Sequence, residues 1–143
     1  MYMKDGDNME IYKGYYSDKK YQFIYNIEDI KKIVKPIFDE YNVNHVLLFG
    51  SYARNEASLV SDIDLCIVDP RIRSIKLFSL KGDLQKALSK DIDIFQISSI
   101  ETDSPIYKNI FKDGILIYDS KYNGRNANQS ISFIFHFCKL LLV

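Results

Sequence analysis

The segment Asp62-Ile63-Asp64-Leu65-Cys66-Ile67-Val68 constrains this chain more than any other stretch. Its strict alternation sets Asp62, Asp64, Cys66 and Val68 on one side and Ile63, Leu65 and Ile67 on the other, which is the period of a β-strand. Acids two residues apart on a strand project from one face about 6.5 Å apart, at a rise of about 3.3 Å per residue. Drawn to about 4 Å at an effective dielectric near 20, they repel by about 4 kcal/mol. That is a large fraction of a domain's stability. A fold that keeps both acids near its core needs a compensating cation, and hard oxygen ligands favour Mg²⁺ or Mn²⁺. The plainer alternative is two polar residues turned outward on a half-buried strand.

The elements around this strand indicate an α/β or α+β layer. Asn26 is a good N-cap, Glu28 and Asp29 suit a first turn, and Ile27, Ile30, Ile33, Val34, Ile37, Phe38 and Tyr41 recur at helical spacing. Pro36 removes one backbone donor within that helix, so a kink or weakened turn is expected there. His45-Val46-Leu47-Leu48-Phe49 is an apolar run expected as a buried strand delivering Gly50-Ser51 at its end. One or two helical turns over Tyr52 to Ala57 would follow, with unpaired N–H groups able to hold an anion. Beyond Asp69-Pro70, Leu77, Leu80, Leu84, Ala87 and Leu88 share a helical stripe. A strand over 91–97, a short helix from about Ser104 to Lys112 ending at Asp113-Gly114, and a strand over 115–118 complete the pattern.

The 143 residues fit one domain, expected over 26–119, between an arm over 1–25 and a polar linker with an apolar tail over 120–143. Nineteen basic and nineteen acidic residues balance, so no global field draws the chain to nucleic acid or to an anionic membrane. Nucleic acid is disfavoured as a partner on that ground. Residues 1–25 mix Tyr and Lys without a clear period and are expected as an arm or an edge strand. The apolar run from Ile131 to Val143 is broken by His136 and Lys139 and is shorter than the roughly 20 residues of a bilayer span. It is expected to pack on the core or bind a partner. Cys66 and Cys138 have no metal-binding spacing, and the acidic, polar start is unlike a secretory signal, so the expected location is the cytoplasm.

A third carboxylate could come from Asp91 or Asp93. Asp93 lies between Ile92 and Ile94, deeper in its strand, whereas Asp91 follows the loop residue Lys90 and is expected to be solvated. Asp93 is therefore the choice: beside the Asp62–Asp64 strand it could share the metal and accept the proton of an attacking hydroxyl. Gly50 alone would mark only a turn, and Ser51 alone could be a helix cap. Arg54 could grip a phosphate bidentately or pair with Glu56. His45 is read as a surface or satisfied histidine rather than a ligand.

Gly50-Ser51, ten intervening residues, Asp62-x-Asp64 and a later apolar-Asp93-apolar strand resemble the minimal nucleotidyltransferase domain of the DNA polymerase β-like superfamily. The resemblance runs from about Ile27 to Tyr118. It implies a small mixed sheet with flanking helices, and carries Asp62, Asp64 and Asp93 over as ligands of two Mg²⁺ ions. It further implies that Gly50 and Ser51 hold the β- and γ-phosphates of a nucleoside triphosphate. Similar stand-alone domains are often antitoxins paired with HEPN-domain toxins, the catalytic ones moving AMP from ATP onto a toxin tyrosine. A binding-only antitoxin and a transferase acting on a small molecule remain alternatives. Asn55 departs from the pattern, because these domains commonly have glycine after the arginine, and a less open phosphate loop is expected.

Overall fold

The computed structural model describes residues 23–120. The expected arm over 1–25, apart from its last three residues, and the expected tail after Ser120 lie outside the described residues. Among the described residues nine elements follow in order: α1 (Ile27–Tyr41), β1 (His45–Phe49), α2 (Gly50–Ala53), β2 (Ile63–Ile67), α3 (Ile75–Leu88), β3 (Ile92–Gln96), a 3₁₀ turn (Ile97–Ser99), α4 (Pro105–Asp113) and β4 (Ile115–Asp119).

The four strands form one mixed sheet in the order β3-β2-β1-β4. β1 runs antiparallel to both β2 and β4, whereas β2 and β3 are parallel and joined by α3. A parallel pair needs such a crossover, since a tight turn cannot return the chain to the same end of the sheet.

Helix α1 starts where the sequence indicates: the side chain of Asn26 accepts from the N–H of Asp29 at 2.8 Å. It ends at Asn42, whose left-handed backbone (φ 57°) is one that asparagine tolerates. The helix is continuous through Pro36, which is exposed. Lys32, whose carbonyl loses its helical partner to the proline, is itself an exposed residue, and the helix runs on to Tyr41. Ile30, Val34 and Phe38 recur four residues apart as the buried face.

In α3 the buried stripe is Leu80, Leu84 and Leu88, with Leu77 partly covered. Ala87, expected in that stripe, is exposed. The α1 and α3 faces pack on Val46, Leu48, Ile63, Leu65 and Ile67. The opposite face of the sheet buries Leu47, Phe49, Cys66 and Val68 with Ile97, Ile110 and Leu116. Alternation along β1 and β2 thus feeds two cores, and Asp64 begins the second face where its apolar cover has not yet started. Helix α4 is capped by Ser104, which accepts from the N–H of Tyr107 at 3.2 Å. It ends at Gly114 in extended rather than left-handed conformation. No helix among the described residues is long and apolar enough to cross a membrane.

Candidate active site

Strand register assembles the site. The antiparallel pairing places Phe49, the last residue of β1, opposite Asp64, so the chain leaves β1 beside the start of β2. The parallel pairing places Asp93 directly across from Asp64. Registered neighbours share a face and lie about 4.8 Å apart, near enough for the charge of Asp93 to act on the Asp64 carboxyl. Asp93, rather than Asp91, is therefore the acid brought to Asp64.

Gly50 is fixed by two independent observations. Its φ is +76°, in the region that side chains on L-residues avoid. A Cβ added to it would lie 2.1 Å from Oδ2 of Asp64. The Asp64 carboxylate thus occupies the space that a side chain at position 50 would need. The helical turn begins at Gly50 rather than at Tyr52, as expected from sequence, and ends at Ala53. Its N-cap is Phe49, without a side-chain cap bond, so Ser51 is half-buried within the turn and is not its cap. The turn closes through Arg54 N–H to Gly50 O at 3.1 Å and Glu56 N–H to Ser51 O at 2.8 Å.

Asn55 has φ +61°. The position after the arginine thus demands a left-handed backbone, which glycine adopts freely and asparagine tolerates better than other side chains. Asparagine thus holds here a backbone conformation that glycine would also adopt.

Burial is the leading cause that pushes Asp64 up to about 6, followed by the charges of Asp93 and Asp62 and the hydrogen bond with Asp93; Arg54 opposes the shift. Asp62 is half-buried just before β2 and contributes through its charge. Among the described residues, no three His, Cys, Asp or Glu side chains close into a ready-made ion cage. The three acids are instead a registered pair, Asp64 and Asp93, with Asp62 two residues before Asp64. Hard carboxylate oxygens brought together at one end of the sheet are a donor set that fits a divalent cation.

Arg54 faces two acids: its Nε donates to Glu56 at 2.9 Å and a terminal nitrogen to Asp113 at 3.1 Å. The Glu56 pairing is one of the two options open at the sequence level. The Asp113 contact, 59 residues away, has no local signal. His45 Nδ1 lies 3.3 Å from a carboxylate oxygen of Asp119, a distance that forms an ion pair when the imidazole is protonated.

Sequence reasoning missed Lys90. Treated as a loop spacer, it is 1% exposed, with burial lowering its pKa and the charge of Asp62 opposing that shift. Asp91 beside it is half-buried rather than solvated, and its carbonyl accepts from Ile63 N–H at 3.0 Å. The only cue to Lys90 was its position three residues before Asp93.

The profile of the family described as Polymerase beta, Nucleotidyltransferase, matches residues 17–123. A candidate protein adenylyltransferase of Methanocaldococcus jannaschii is 38% identical over 76 residues, covering 52% of this chain and 82% of that protein. A solved structure described as a toxin-antitoxin with AMP-PNP matches with a TM-score of 0.61 at 18% identity, over 78% of this chain and 85% of the other. A chain from the tri-AMPylated Shewanella oneidensis HEPN toxin in complex with MNT antitoxin matches with a TM-score of 0.57 at 16% identity, over 80% and 85%. At these identities the two structures establish a shared fold.

Proposed function

The chain belongs to the polymerase beta nucleotidyltransferase family and has its mixed-sheet fold, and from that premise we propose that it is a protein adenylyltransferase, moving AMP from ATP onto a tyrosine hydroxyl of a HEPN-type toxin and so serving as an antitoxin. The observation that carries this reading is the juxtaposition of Asp64, Asp93 and Gly50 at one end of the sheet. Carboxylates gathered beside a side-chain-free backbone, one of them with its ionisation opposed by burial and by its neighbours' charges, support a site for phosphoryl chemistry. The named activity of the Methanocaldococcus relative supports protein as the acceptor. The toxin complexes that share the fold support the class of partner.

In this reading Asp62, Asp64 and Asp93 hold the metal, which when bound neutralises phosphate and carboxylate charge at the reacting centre. Gly50, lacking a side chain, lets the backbone approach the triphosphate, and the Ser51 hydroxyl donates to its terminal phosphates. Arg54 reaches a phosphate by exchanging Glu56 or Asp113 for it. The acceptor hydroxyl attacks the α-phosphorus, giving its proton to Asp93; the bond to the β-phosphate oxygen breaks and pyrophosphate leaves.

The test is transfer of label from α-labelled ATP to a co-expressed HEPN partner. Asp62→Asn and Asp64→Asn proteins should keep the wild-type circular dichroism spectrum and lose the transfer. Undiminished labelling by either variant would refute the assignment.

A further inference from the structure

Lys90, between α3 and β3, is a buried ammonium that the chemistry above does not use. Ionised lysines are almost never fully buried unless paired. Its Nζ donates to the carbonyl of Leu59 at 2.9 Å across 31 residues of sequence. The ring of Phe23 lies over it at 5.5 Å. Leu59 and Val60 are 49% and 71% exposed, so the carbonyl it holds belongs to a loop whose own apolar side chains face solvent there. That loop runs straight into Asp62, and the next N–H, of Ile63, is held by the Asp91 carbonyl. Two adjacent residues at the entry to β3 thus tie down the entry to β2.

We propose that Lys90 is a positioning residue for nucleotidyl transfer, fixing the 59–62 loop and thereby placing the Asp62 carboxylate beside Asp64 and Asp93. The proposal rests on the reading of Asp62 as an ion ligand. Lys90 itself is too deep to touch substrate. A methionine fills the volume of the stem but cannot donate to the Leu59 carbonyl, so Lys90→Met removes that tie while keeping the packing. Its circular dichroism spectrum should match that of the wild type.

The direction of the binding change separates placement from charge. Deleting a nearby positive charge would by itself strengthen attraction for a divalent ion, so weaker binding reports lost placement. Mn²⁺ affinity, measured by electron paramagnetic resonance on the full chain, should fall about tenfold in Lys90→Met, the lower end of the range for residues that orient metal ligands. Amide exchange over residues 57–62 should quicken while α3 and β3 stay protected. Lys90→Arg, which keeps charge and donors, should recover part of both. Mn²⁺ binding as tight as wild type or tighter, with unchanged exchange, would overturn the proposal. So would a fall in Tm with exchange quickened throughout α3 and β3, which would make Lys90 purely structural. A wild-type chain that binds no Mn²⁺ would overturn the site reading itself, and any role of Lys90 in transfer with it.

Discussion

Gly50→Ala probes the geometry of the site most directly. Alanine at φ +76° costs about 1–2 kcal/mol in the left-handed region. Its Cβ would lie 2.1 Å from Oδ2 of Asp64, where real contacts begin at 3.0 Å, so carboxylate or backbone must retreat by about 1 Å. The stability loss should lower Tm by about 5–15 °C for a domain of this size. The displacement should cost more in function, because a misplacement of about 1 Å at a reacting centre can cost about a hundredfold in rate. Gly82→Ala is the internal control. Gly82 lies within α3, nothing stands within 4 Å of the added methyl, and the substitution should stabilise by about 0.5–1 kcal/mol. Thermal unfolding by circular dichroism and labelled-AMP transfer below both transitions read the two effects separately. A Gly50→Ala protein that melts and labels like wild type would refute the placement of Asp64 against Gly50, whatever the control does.

Two further substitutions test the frame around the site. Asp69 is fully buried at the end of β2, and its carboxylate accepts from Asn44 N–H, from Arg71 N–H and from the Arg71 guanidinium at 2.7–3.0 Å. Burial pushes its pKa up, but the Arg71 and Asn44 bonds outweigh that and hold it below the usual carboxylate range. A depressed folded pKa means its stabilisation is present above about pH 4 and is lost as pH falls through the folded value. Asp69→Asn should thus cost about 2 kcal/mol in urea melts at pH 7, with the gap to wild type closing below pH 4; a gap independent of pH would contradict the ionic account. At Asn55, alanine should cost about 1 kcal/mol and glycine less than about 0.5, both read as urea midpoints. Equal stability of Asn55→Ala and wild type would show that the left-handed turn is not held.

The elements were legible wherever their signals are local. The Asn26 cap, the four-residue spacing of Ile30, Val34 and Phe38, and the alternation through β2 each act within one or two turns of chain. Asp93 could be preferred over Asp91 because its two isoleucine neighbours place it inside a strand. The misses have a common physical origin. The burial of Lys90 depends on a carbonyl 31 residues away, and the engagement of Arg54 on an acid 59 residues away. Neither side chain carries a mark of its partner, and both residue types are ordinarily solvated, so local pattern assigns them to the surface.

Long-range pairing also changes how the acidic motif itself is understood. Spacing in sequence makes Asp62 and Asp64 equivalent partners, about 6.5 Å apart on one face, but a registered neighbour on the adjacent strand lies closer, at about 4.8 Å. The acids in register are accordingly Asp64 and Asp93. Asp93 also weighs more heavily than Asp62 on the ionisation of Asp64. Asp62, outside the strand, depends for its position on a loop held by other residues. The motif therefore divides into a part set by the register of β2 and β3 and a part carried by the 59–62 loop. Gly50 bounds the first part and Lys90 the second. Both are local exceptions, a glycine with positive φ and a buried lysine, set at the end of the sheet where β1 finishes and β2 and β3 begin.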